Sequence, residues 1–167
     1  MLVVNFYAGP GAGKSTLAAG VFAELKFRNI NCELVREFVK DLVWEENPAT
    51  EDQEWIYANQ RRRLHIMRGK VDVVLTDAPL LLSLVYHQSR SSRAFKSIVT
   101  AEYWSYNNLD IVVSRVKKFN PRGRMHTLEQ AEALDQLIYD IVPQSHFTVT
   151  GDHQGIEPTV NKILERI

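Results

Sequence analysis

The sequence predicts a three-layer α/β domain, a five-stranded parallel sheet with helices on both faces. Three observations carry this. Short, nearly all-apolar runs alternate with helix-like stretches along the chain, the pattern of a parallel sheet buried on both sides. Residues 8–16, Ala-Gly-Pro-Gly-Ala-Gly-Lys-Ser-Thr, stand between the first such run and a helix, where a phosphate-binding loop belongs. The 167 residues, 45% hydrophobic and 24% charged, fit one soluble globular domain spanning 1–167.

Leu2 to Tyr7 is the first strand, apolar and rich in β-branched residues. In the loop that follows, glycines let backbone N–H groups turn inward around phosphate oxygens, and the helix N-terminus adds favourable partial charge. Gly9, Gly11, Ala12, Gly13, Lys14, Ser15 and Thr16 are the expected nucleotide-binding residues. Lys14 would reach the β and γ phosphates of ATP, and the Ser15 hydroxyl would hold Mg²⁺. The first glycine of the G-x-x-x-x-G-K-[ST] pattern is replaced by Ala8. A dinucleotide fingerprint fails, because Lys14 or Thr16 falls where its last glycine is needed.

The helix from Lys14 to Arg28 places Leu17, Val21 and Leu25 on one face. Residues 31–36 form a second strand, and 37–44 a short helix. The spacing of Thr50 and Gln53 predicts a capping box opening a long helix that stops at Gly69. Residues 71–76 are the third strand, 80–86 a leucine-rich helix, 88–93 a loop and 94–107 a helix. Residues 110–114 make the fourth strand. Thr127 and Gln130 predict a second capping box, with Leu134, Ile138 and Ile141 on the inner face behind it. Residues 147–150 are the fifth strand and 156–167 a closing helix.

Twenty basic residues balance twenty acidic ones, so attraction to nucleic acid or membrane would need a local patch. The single cysteine, Cys32, excludes an internal disulfide and fits a reducing compartment, the cytoplasm. Cys32 reads as a half-buried strand residue. The first apolar run is too short for a signal peptide, and no stretch approaches a membrane span.

The second acidic position sorts the classes of triphosphate-binding proteins. Asp77 ends the third strand, where a carboxylate reaches the Mg²⁺ shell. Ala78 and Pro79 follow it, so the glutamate with which an ATPase activates water is absent there. A GTPase would show Asp-x-x-Gly, but Leu80 occupies the glycine position. A kinase fits better. Residues 115–127 read as its lid: Arg115, Lys117, Lys118, Arg122 and Arg124 carry positive charge toward the phosphates, with bends at Pro121 and Gly123. Glu37, at the end of the second strand, is placed to take the proton from an acceptor hydroxyl, although an acidic residue there also suits a helix first turn. Arg36 and Asp41 are candidates for acceptor binding. Trp44, Trp55, Tyr57, Tyr103, Trp104 and Tyr106 read as core or base-stacking residues, and Arg61 to Arg63 as a solvated face or a nucleic-acid contact. His65 and His126 lack metal-ligand spacing.

Residues 6–16, Glu37 with 40–45, 76–80 and 119–124 together resemble small phage-encoded P-loop kinases, a group similar to nicotinamide riboside and deoxynucleoside kinases. Some of these look like 5-hydroxymethyluracil DNA kinases, which act in thymidine hypermodification. The resemblance implies strand order 2-3-1-4-5. It implies ATP and Mg²⁺ as cofactors, with Lys14 and Ser15 on the triphosphate and Asp77 supporting metal or acceptor. It further implies Arg122 and Arg124 closing from the lid, Glu37 as base, and the host cytoplasm as location. The expected partner is a hydroxyl acceptor on a DNA base, nucleoside or nucleotide, with DNA itself a candidate. A kinase for free nucleosides, nucleoside monophosphates or nicotinamide riboside is the alternative, and a small regulatory ATPase is a second one.

Overall fold

The computed structural model describes residues 1–87, 92–116, 118, 120 and 127–167. At its centre is β1 (Leu2–Tyr7), all six residues of which are buried. Alternate residues of a strand point to opposite faces, so β1 feeds two cores. Leu2, Val4 and Phe6 pack with Leu17, Ala18, Val21 and Leu25 of α1 (Lys14–Phe27) and with Val160 and Ile163 of α7 (Ile156–Leu164). Val3 and Tyr7 face the opposite layer, made by α3 (Gln53–His65), α4 (Leu82–Tyr86), α5 (Arg93–Trp104) and α6 (Leu128–Ile141).

The sheet is parallel, with β1 paired to β3 (Val73–Thr76) and to β4 (Asn107–Ser114). Outside these lie β2 (Cys32–Val35) on β3 and β5 (Phe147–Thr150) on β4. The order is therefore β2-β3-β1-β4-β5, the predicted one. Strand order runs outward in both directions from β1, so the loops at the carboxyl ends of β1 and its neighbours open a crevice for ligands. Cys32 lies in a strand as expected, but it is fully buried rather than half-buried.

Most predicted elements appear with ends shifted by one to three residues, and two differences have physical causes. The capping box at Thr50 is not formed. Asn47 accepts from the Ala49 amide ahead of a 3₁₀ turn at Pro48–Glu51, and this turn takes up Thr50. Asp52 then caps α3, accepting from the Trp55 amide at 2.9 Å. The helix predicted to reach residue 107 ends at Trp104 instead. Asn108 bonds the Tyr103 and Tyr106 carbonyls through Nδ2, which ties off the helix end, and β4 begins at Asn107. The Thr127–Gln130 capping box is formed in both directions.

A polar group lies within the core at β1 and β4. Asn5 of β1 donates to Asp110 on β4 at 3.1 Å, and the Tyr103 hydroxyl donates to the other Asp110 oxygen at 2.6 Å. Burial pushes the Asp110 carboxyl above its usual range, and these donors partly offset the push.

Candidate active site

The loop between β1 and α1 takes its shape from backbone that other residues cannot supply. Gly13 has φ +110°, and a Cβ there would collide with the Gly151 carbonyl behind β5. No side chain caps α1 at this residue. A helix start whose first amides receive no cap presents N–H groups and positive partial charge, here toward a cavity lined by Gly11, Gly13, Lys14, Ser15 and Thr16. The Lys14 ammonium folds back on the loop, donating to the Ala8 and Gly9 carbonyls at 2.6 and 3.1 Å. Burial pulls its pKa down; the Glu37, Asp77 and Asp135 carboxylates oppose the fall and the Arg115 guanidinium adds to it. Exchange of those carbonyls for phosphate oxygens would keep the cation solvated by oxygen.

The same cavity, about 490 Å³, extends to a second wall. Glu37, Phe38, Val39, Lys40 and Val43 come from the β2 to α2 segment, α2 being Val39–Trp44. Trp44 stands at this wall with 66% of its surface exposed, which leaves an indole face available to a ligand. Ile56 and Gln60 of α3, with Leu82 and Tyr86 of α4, line the interior. Burial raises the Tyr86 phenol well above its ordinary pKa, so this hydroxyl stays protonated.

Two hydrogen bonds fix the segment that carries Glu37. Its amide donates to Asp77 Oδ1 at 2.9 Å, and the next amide, of Phe38, donates to Gln60 Oε1 at 3.1 Å. Gln60 is only 4% exposed and donates in turn to Thr76 Oγ1 at 3.3 Å. The end of β3 and the middle of α3 therefore jointly hold Glu37 toward the loop.

The fold thus brings Lys14, Ser15, Thr16, Gly11, Gly13 and Glu37 to one cavity. Asp77 is buried just behind its wall and bears on Lys14 electrostatically. Gly9 packs against α6, and Ala12 is buried beneath the loop. Arg36 and Asp41 do not line the cavity; they form an ion pair at 3.6 Å, and Asp41 also pairs with Arg63 at 3.0 Å. Arg122 and Arg124, with Lys117, Pro121 and Gly123, lie outside the described residues. Arg115, at the root of the expected lid, pairs with Asp135 at 2.9 Å.

Two of the three arginines in the run are tied into the structure. Arg61 pairs with Glu102 of α5 at 2.9 Å, and Arg63 bonds Asp41 and lies over the Phe38 ring. Arg68 lies over Tyr106 and bonds Ser105. These cations staple helices and loops together. Gln60 is a site residue beyond those the sequence motifs mark, although a signal exists: Ile56, Gln60 and Leu64 form a buried helical stripe with one polar member. Asp135 carries no such signal.

Ser15, on the cavity wall, and Asp77, behind it, are the residues that could hold Mg²⁺, an ion that takes few protein groups together with substrate phosphates. Among the described residues no cluster of three or more His, Cys, Asp and Glu forms a dedicated metal cage. No described helix is long and apolar enough to cross a membrane.

Comparison with known proteins supports the architecture. A mutant of the APS kinase CysC from Mycobacterium tuberculosis superposes with a TM-score of 0.53, covering 98% of this chain and 94% of that one. At 14% identity the likeness is one of fold, an α/β P-loop fold with the same class of sheet. No curated protein matches the sequence. The family model described as an AAA domain matches residues 3–157, nearly the whole chain, and the protein belongs to that family.

Proposed function

We propose that this protein is an ATP- and Mg²⁺-dependent phosphotransferase whose acceptor is a hydroxyl on a nucleoside, a nucleotide or a base in DNA. One observation carries the reading: Glu37 and the Lys14–Ser15 helix start line the same cavity, and the Glu37 backbone is fixed by Asp77. Lys14 leaves the Ala8 and Gly9 carbonyls and neutralises the β and γ phosphates. Glu37 accepts the acceptor's proton as its oxygen bonds to the γ phosphorus; the bond from that phosphorus to the bridging oxygen breaks and ADP leaves. Mg²⁺, held by Ser15 and supported by Asp77, supplies charge compensation when bound. Arg122 and Arg124 are proposed to add positive charge from the lid.

The acceptor wall suits a flat, partly apolar group. Phe38, Val43, Trp44 and Ile56 offer stacking and packing area, while Gln53, Lys40 and Ser83 offer polar contacts. A nucleobase meets this description. The 5-hydroxymethyl group of hydroxymethyluracil is the acceptor implied by the kinase resemblance, and in a duplex that base would have to leave the stack to enter the cavity. Because Arg61 and Arg63 serve internal pairing, a DNA path along α3 has little support, and a free nucleoside or nucleotide is equally served by the cavity.

The family description favours a second reading, a small ATPase that transfers only to water. Alanine at 78, after Asp77, leaves that reading without the usual activating glutamate. The test is transfer from γ-labelled ATP to a duplex containing 5-hydroxymethyluracil, an unmodified duplex, and a panel of nucleosides and nucleotides. Label in the modified duplex alone assigns a DNA base kinase, and label in a small molecule alone assigns nucleotide metabolism. Release of phosphate with every acceptor ignored would overturn the kinase reading.

A further inference from the structure

The phosphate-binding loop is held from outside by two residues distant in sequence. Asp135 of α6 accepts a short hydrogen bond from the Gly9 amide through Oδ1. Its other oxygen, Oδ2, accepts from Nη2 and Nε of Arg115 at 2.9 and 3.3 Å. Arg115, the first residue after β4, uses its remaining nitrogen Nη1 to donate to the Pro10 carbonyl at 2.9 Å. The Arg115 side chain is only 14% exposed. Both sides of the Gly9–Pro10 peptide region are thereby fixed by one ion pair. The approach is close: a Cβ at Gly9 would strike the Ala131 carbonyl and the Asp135 carboxylate. Nothing in the loop's own motif demands these contacts.

We propose that Asp135 and Arg115 are positioning residues for the nucleotide. They set the Gly9–Pro10 backbone, and through it the turn that presents the amides from Gly11 to Thr16. The inference rests on the loop being the triphosphate site. A carboxylate beside an anion site is repulsive by itself. Here the Gly9 amide and the Arg115 guanidinium absorb its charge, so it can serve as a backbone acceptor without opposing the phosphates. Affinity for ATP therefore depends on the Asp135 oxygen that Gly9 uses, more than on the ion pair as such.

Four proteins decide this: wild type, Asp135→Ala, Asp135→Asn, and the charge swap Arg115→Asp with Asp135→Arg. ATP dissociation constants come from titration with a fluorescent ATP analogue, and thermal melting checks that each protein folds. Loss of a backbone bond to a charged acceptor predicts that Asp135→Ala weakens ATP binding about tenfold or more. Asp135→Asn keeps an oxygen for Gly9 and should recover most of that loss. The swap rebuilds an ion pair but offers Gly9 no acceptor, so its affinity should stay low. In steady state the loss should fall on KM for ATP and spare KM for the acceptor.

Wild-type affinity in a folded Asp135→Ala protein, or in the swap, would overturn the proposal and leave the pair as a bridge between elements. If Asp135→Ala does not fold, Asp135→Asn against the swap still decides, since equal affinities would refute it. Wild type that binds no ATP would refute the triphosphate reading and this inference with it, which separates the two failures.

Discussion

Gln60 is the residue on which the geometry of Glu37 most depends without being part of the chemistry. Gln60→Leu keeps nearly the same volume, so its effect isolates two hydrogen bonds. The Phe38 amide loses its acceptor at 3.1 Å, and Thr76 Oγ1 loses a donor at 3.3 Å but still accepts from the Ala78 amide at 3.2 Å. Leaving a half-buried amide unsatisfied costs about 1–3 kcal/mol, and the weaker bond to Thr76 adds at most about 1 kcal/mol. Partial access of the Phe38 amide to water puts the total at about 2 kcal/mol. For a domain of this size that is a fall in melting temperature of about 4–8 °C. Urea unfolding followed by the fluorescence of the three tryptophans should show a lower midpoint with an unchanged slope. Transfer should fall as well, because one of the two pins on the Glu37 segment is gone, while ATP affinity holds. A Gln60→Leu protein with wild-type midpoint and wild-type transfer would show that Gln60 does not hold the Glu37 segment.

Glu37→Gln should reduce phosphoryl transfer by about 10²–10⁴-fold with ATP binding retained, and near-normal transfer would remove Glu37 as base. Gly13→Ala forces a side chain to φ +110° against the Gly151 carbonyl; beyond the ~1–2 kcal/mol of a left-handed residue, it should abolish measurable ATP binding, and a variant that titrates like wild type would contradict the loop geometry. Tyr103→Phe takes a donor from Asp110 and should cost about 1–3 kcal/mol at neutral pH. Burial raises the native Asp110 pKa, so this carboxyl favours the fold below the unfolded carboxylate range and loses that contribution as pH rises through its native value. Without the Tyr103 donor the native value rises further, so the penalty should shrink on acidification; a penalty equal at about pH 4 and about pH 7 would sink the assignment.

Much of this was legible in residues alone because backbone chemistry and periodicity act locally. Gly13-Lys14-Ser15 after an apolar strand admits few structures, and the alternating elements fix a parallel sheet once β1 is buried on both faces. The Thr127 capping box formed because its partners are three residues apart. Its counterpart at Thr50 failed because Pro48, two residues earlier, starts a competing turn. Long-range pairing was the hidden part. Arg36 and Asp41 stand beside Glu37 in sequence, yet Arg63 from α3 draws Asp41 away from the cavity wall. Asp135 reaches Gly9 only because α6 crosses the loop, and no spacing in the chain encodes that crossing.

In the proposed reaction the γ-phosphoryl group leaves this cavity on an acceptor oxygen. The most direct test of that transfer is a phosphate balance: ATP consumed, phosphorylated acceptor and free phosphate measured in one reaction, with the acceptor that takes up label in the panel. ATP consumption should require the acceptor and appear as phosphorylated acceptor in equal amount. ATP consumed at the same rate without acceptor, and recovered entirely as free phosphate, would contradict it.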